Sequence, residues 1–153
     1  MLENRGTLSL LQRAAFLAMV LACDSSQAAC EFKVPSGWSQ ANTRWDGDCV
    51  AGVADGLGIL KEYSGNQVAR WFFGSLRNGD VELGVIDQSE GYIAGKFTHG
   101  QLLPSPDRQT YLDAFEQAEQ AASQAASRFK QAGNQASARF YADKARELAE
   151  QMD

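Results

Sequence analysis

The sequence predicts an α+β fold, an antiparallel β-meander followed by an α-helical hairpin. Two contrasts in composition carry that prediction. Residues 30–103 are rich in Gly and aromatics and alternate at period 2. Residues 107–153 are rich in Ala and Gln, hold one Gly, and space their apolar positions by four and three. Residues 1–28 match neither pattern and read as a targeting segment. The expected organisation is therefore 1–28 signal peptide, 29–104 β-sheet region and 107–153 C-terminal helical hairpin.

In the first segment Arg5 and Arg13 precede an apolar run, Ala14 to Cys23, that is too short for a stable transmembrane helix. Ser26 and Ala28 supply small residues before a cut after Ala28, as in a cleaved secretory signal, which implies a periplasmic or secreted protein. An amphipathic first helix is the weaker reading because positions 14–23 have no polar face. The alternative is a lipoprotein anchored at Cys23, with Val20-Leu21-Ala22 as its lipobox. Leu21 departs from the small residue usual there. Membrane association is expected only in that case. Either way Cys30 and Cys49 remain as an even pair, which in an exported domain favours a disulfide. The formal net charge is −5 with no clustered Lys and Arg, which argues against binding nucleic acid or gripping anionic lipid.

The β region is read strand by strand. Period 2 places Trp45, Gly47 and Cys49 on one face, and likewise Phe72, Gly74 and Leu76, then Ile93, Gly95 and Phe97. A large residue can then lie over a neighbouring glycine, where any side chain would block it. Gly58 to Tyr63, Gln67 to Phe73, Val81 to Ile86 and Tyr92 to Phe97 read as strands, joined by turns at 64–66 and 88–91. Asn78-Gly79 and His99-Gly100 provide the positive φ of tight hairpins. About six strands are expected. Such a meander leaves a face in need of cover, which the C-terminal segment can supply.

That segment carries Tyr111, Phe115, Ala118, Ala122, Ala125, Phe129, Ala132 and Ala136 as one heptad stripe, then Tyr141, Ala145, Leu148 and Met152 as a second. Gly133-Asn134 lies at the break, so a hairpin is favoured over one long helix. The small Ala seam permits close approach of helices, and a homodimer is one expected outcome.

Chemistry is sparse. His99 is the sole histidine and precedes a turn glycine, so no metal site and no cofactor is expected. Asp46, Asp48 and Asp55 form the densest acidic group, but solvated strand and turn positions account for them better than a carboxylate pair of a hydrolase does. No catalytic residue is assigned. Trp71 and Tyr92 sit one residue off the glycine face and are the candidates for contact with a ligand.

Trp45, Gly47, Cys49, Gly52, Gly56 and Gly58 fill in order the six defined positions of Y-x-G-x-W-x-x-G-x-x-x-G-x-G. This stretch resembles a MORN repeat, and Phe72-x-Gly74 through Gly79 and Ile93-x-Gly95-x-Phe97 through Gly100 resemble shortened copies. The resemblance to exported bacterial MORN-repeat proteins implies stacked β-hairpins and a non-enzymatic scaffold with an unidentified protein partner. The alternative is a cell-envelope glycan or lipid binder, with a hydrolase third. Ala126, Phe129, Gly133, Ala138 and Ala145 resemble a single tetratricopeptide-like hairpin. Ala142 departs from that pattern where a large aromatic is usual.

Overall fold

The computed structural model describes residues 29–104 and 107–153. The expected signal segment, its cleavage site and Cys23 lie outside the described residues. Six strands follow in chain order: β1 Thr43–Val50, β2 Val53–Ser64, β3 Gln67–Arg77, β4 Asp80–Gln88, β5 Gly91–Thr98 and the short β6 Gln101–Leu102. Each pairs antiparallel with the next, so the sheet is a meander of spatial order β1-β2-β3-β4-β5-β6. Two helices follow, α1 Arg108–Gln131 and α2 Gln135–Ala149, and a short 3₁₀ turn at Glu150–Met152 ends the chain. The predicted α+β class and the helical hairpin are both present.

The register aligns five glycines. Gly47 pairs with Gly58, Gly58 with Gly74, Gly74 with Gly84 and Gly84 with Gly95. One row of the sheet is thus bare of side chains across five strands. The adjoining row, Trp45, Leu60, Phe72, Ile86 and Ile93, supplies the rings that lie over it. A β-carbon at Gly47 would stand 2.6 Å from Trp45 Cζ2, and one at Gly84 would stand 2.8 Å from Phe72 Cζ. Phe97 meets Phe72 edge-on at 5.7 Å. These residues, with Ala54, Leu76 and Val81, form one of two apolar clusters.

Gly84 is absent from the repeat positions expected from sequence, and a bulge explains the omission. In the first hairpin Gly47 pairs with Gly58 and Cys49 with Ala54, so two steps along β1 face four along β2. In the second hairpin Ser75 pairs with Leu83 and Leu76 with Val81, so one step on β3 faces two on β4. The smaller bulge brings the ladder glycine one place nearer its turn than the first unit does.

The opposite face carries Ile59, Phe73, Val85 and Ala94 and packs under the helices. Ala114, Ala118, Ala121, Ala122 and Ala125 on α1 are fully buried, and their small side chains let the helix lie close to both sheet and α2. Ala118, Ala122 and Ala125 of the seam expected to serve a homodimer are therefore used inside one chain, while Ala132 and Ala136 at its end are exposed. Tyr111, at the head of the expected stripe, is instead 39% exposed. Asp107 Oδ1 accepts the Thr110 N–H at 2.8 Å and Asn134 Oδ1 accepts the Ser137 N–H at 3.0 Å, capping α1 and α2. Between them Gly133, at φ 79, ends α1 in the left-handed conformation. Among the described residues no helix is long and apolar enough to cross a membrane.

Candidate functional site

The feature that sequence reasoning missed is a strap across one end of the sheet. Three hairpin turns sit at that end. Their central pairs are Ala51-Gly52, Asn78-Gly79 and His99-Gly100, with φ of 50 and 80, 49 and 83, and 49 and 79. Both central residues of each turn are left-handed, the hairpin geometry that matches strand twist. The chain upstream of β1 crosses these turns in sequence. Glu31 N–H donates to the Gly52 carbonyl, Lys33 N–H to Gly79 and Ser36 N–H to Gly100, each at 2.8 Å, and the Glu31 carbonyl accepts from Ala54 N–H at 2.9 Å.

Side chains reinforce the crossing. Cys30, Phe32 and Val34 pack against the Leu60, Phe72 and Leu76 cluster, and Trp38 is buried within it. Alternation of Cys30, Phe32 and Val34 was the available signal, but Pro35 and Gly37 cut it short of a strand pattern. Cys30 and Cys49 stand at disulfide distance with Cα atoms 6.0 Å apart. Outside the strap lies a hollow of about 610 Å³ lined by Cys30, Phe32, Lys33, Val53, Asn78 and Gly79, among others.

The far end of the strap is clasped by a charged pair. Arg70 Nε donates to Glu62 Oε2, Arg70 Nη2 donates to the Gly37 carbonyl at 3.0 Å, and Ser39 N–H donates to Glu62 Oε1 at 2.7 Å. The Arg70 guanidinium also lies over the Trp38 ring, 5.0 Å from its centroid. The bond from Arg70 holds the Glu62 carboxyl below its usual range, with the Ser39 N–H assisting and burial opposing.

The residues singled out from sequence fall elsewhere. Trp71 and Tyr92 do leave the glycine face, but the face they enter lies beneath the helices. Trp71 contacts Phe73, Phe140 and Tyr141, with ring centroids 5.9, 5.5 and 6.2 Å away. Tyr92 meets Phe115 edge-on at 5.7 Å. Both are half-buried parts of the helix-facing cluster, so the two candidates for ligand contact pack beneath the helices.

The acidic group is also dispersed. Asp46 Oδ2 accepts from Lys61 Nζ at 3.2 Å and its Oδ1 from Arg128 Nη2 at 3.0 Å, joining β1, β2 and α1. Asp48 accepts from Leu57 N–H at 3.3 Å and Asp55 from Asn78 N–H at 2.9 Å, so each ties down hairpin backbone. Lys61 Nζ lies 5.3, 5.9 and 6.0 Å from the ring centroids of Tyr141, Phe129 and Trp71. Burial works against its charge, but the Tyr141 hydroxyl and Asp46 outweigh that and raise its pKa. Burial likewise raises Tyr141, against the pull of Lys61. A second sheet-to-helix bridge joins Lys144 to Asp87 at 3.0 Å. Here too burial is outweighed, by Glu147 and Asp87, and the Lys144 pKa rises.

Among the described residues no three His, Cys, Asp or Glu side chains are grouped to hold a metal ion. His99 occupies the left-handed position of the third turn. Comparison with protein-family models, with curated proteins and with solved structures found no match.

Proposed function

We propose that the chain is an exported, non-enzymatic scaffold built on MORN-type hairpins, acting by binding protein. The observation that carries this reading is the register-matched ladder Gly47, Gly58, Gly74, Gly84 and Gly95. It recurs with the hairpins and is filled by Trp45 and Phe72, which uses the repeat's defining residues for packing. Asp46 with Arg128 and Asp87 with Lys144 tie sheet to helix, and Arg70 and Glu62 tie strap to sheet, which suits a rigid presenting surface. A pair of cysteines at disulfide distance accords with an oxidising compartment, and export by a signal in residues 1–28 would place it there. The glycan alternative loses support because Trp71 and Tyr92 are half-buried beneath the helices.

The test is photocrosslinking in the native cell from two exposed apolar positions on opposite parts of the surface. Val50, at the first hairpin turn, is 61% exposed and Phe140, on α2, is 43% exposed. A discrete protein adduct from one position and not the other supports a scaffold with a defined docking surface. Absence of protein adducts from both, with retention of the purified protein on envelope glycan, overturns it. The mass of the mature N-terminus then separates a start at Ala29 from lipidated Cys23.

A further inference from the structure

The strap has the contacts of a bound peptide. Its N–H groups at Glu31, Lys33 and Ser36 reach one turn glycine each, and its alternate side chains Cys30, Phe32 and Val34 enter the apolar cluster. This is main-chain pairing for affinity and alternate pockets for specificity, as in strand addition. These bonds reach residues that follow the strap in sequence and belong to the sheet's own hairpins. Its link to β1 is short, and Gln40, Ala41 and Asn42 there are exposed. Any segment of identical sequence presented in the same direction satisfies the same acceptors.

We propose that residues 30–38 exchange between two copies of this chain when the Cys30–Cys49 bond is opened, and that re-closure between copies locks a strap-swapped dimer. The groove in each copy then holds the strap of the other, with the Ser39–Asn42 link as hinge. Such an exchange re-forms the bonds of Glu31, Lys33 and Ser36 to the turn glycines and gives up only bonds made by the link, among them Gln40 Nε2 to the Phe32 carbonyl, and swapping of this kind is a low-cost route to a dimer. Cys49 is exposed and open to attack. A dithiol reductant attacks one sulfur of the pair and the protein S–S bond breaks. The resulting mixed disulfide is resolved by the second thiol of the reductant, leaving two protein thiols and an oxidised reductant. Re-closure runs through oxidised glutathione: one protein thiolate displaces glutathione from it, and the partner thiolate then displaces the second. The exchange depends on the strap and its groove alone, not on export or scaffolding.

The experiment mixes equal amounts of unlabelled and nitrogen-15 full-length chain, both carrying Cys23→Ser so that two thiols remain. The mixture is reduced with dithiothreitol, transferred to oxidised glutathione, and examined by size exclusion and mass spectrometry of the bridged peptides. The expected result is a species of twice the mass whose bridges join Cys30 to Cys49. About half of these dimers should carry one light and one heavy copy, the random-pairing ratio, and dimer should rise with protein concentration. Bridges found only within single chains overturn the proposal. So does a mixture containing Cys30–Cys30 and Cys49–Cys49 pairs, which unseated thiols would give. Circular dichroism of the reduced state completes the test, because loss of the sheet on reduction removes the folded groove and also overturns it.

Discussion

The indole of Trp45 lies across Gly58, such that a β-carbon at residue 58 would stand 2.6 Å from Trp45 Cζ2 and 2.7 Å from the Gly47 Cα. The second contact is backbone and cannot swing away. Gly58→Ala is therefore expected to destabilise by about 3 kcal/mol, the upper end of overpacking. Adding Trp45→Ala should not restore stability, because the backbone clash remains. Urea denaturation checks this, with a lower midpoint and an unchanged slope expected for Gly58→Ala.

Ala51 offers the opposite case. It holds φ 50, the left-handed position filled by Asn78 and His99 in the other two turns. A residue with a β-carbon and no local polar group is strained there by about 1–2 kcal/mol. Ala51→Gly and Ala51→Asn are each expected to raise stability, by about 0.5–1 kcal/mol for Gly once its larger unfolded-state entropy is subtracted. Thermal unfolding of both variants tests the sign.

Closing the Cys30–Cys49 loop, with a sequence separation of 19, restricts the unfolded chain and should contribute about 3 kcal/mol. The double variant Cys30→Ser, Cys49→Ser should lose that amount and also show faster amide exchange at Glu31 and Lys33 than at β3. Equal exchange at both sites would mean that the strap does not depend on the bond.

Glu62 sets the behaviour in acid. Its folded pKa is lowered, chiefly by Arg70, so its contribution is full above the unfolded value of about 4.3 and is lost as pH falls through the folded value. Glu62→Gln should be less stable at neutral pH and show a shallower loss of stability between about pH 4 and the acid limit. A series of denaturation curves across that range measures the difference. The Trp38 fluorescence should respond first, since Arg70 binds both Glu62 and the Trp38 ring.

What was legible in the sequence follows from where each signal resides. Trp45, Gly47 and Cys49 announce their shared face because strand alternation is local. Gly133 marks the helical turn because its φ of 79 is a requirement of the chain itself. Gly84 escaped because a bulge altered the count between turn and ladder, a matter of how β4 lies on β3. Trp71 and Tyr92 were placed on the correct face, yet their role depended on α2 and α1 arriving above them. The strap was least legible, since its bonds run to Gly52, Gly79 and Gly100, which are brought together only after the meander forms.

The Asp46 bridge should contribute to the loss of stability in alkali. Lys61 has a side chain only 14% exposed, enclosed by Tyr141, Phe129 and Trp71, and its carboxylate partner is shared with Arg128. Asp46→Ala leaves that ammonium without an anion in a half-dry setting, and a loss of about 2–3 kcal/mol is expected. Lys61→Met should cost less, because an apolar chain of similar length fits among the rings and Arg128 still neutralises Asp46. The folded pKa values of Lys61 and Tyr141 are both raised. Each therefore contributes stability that is complete below about pH 10, the unfolded range, and disappears as pH rises through the folded values. Lys61→Met should remove the lysine part of this alkaline loss and, by taking away the charge that opposes burial, raise Tyr141 further, so that its ionisation, read by ultraviolet absorbance, moves to higher pH. Comparing unfolding of wild type and Lys61→Met from pH 9 to the alkaline limit, roughly pH 12, decides it. Parallel curves together with an unmoved Tyr141 ionisation would mean that the ring-enclosed ammonium does not couple folding to pH.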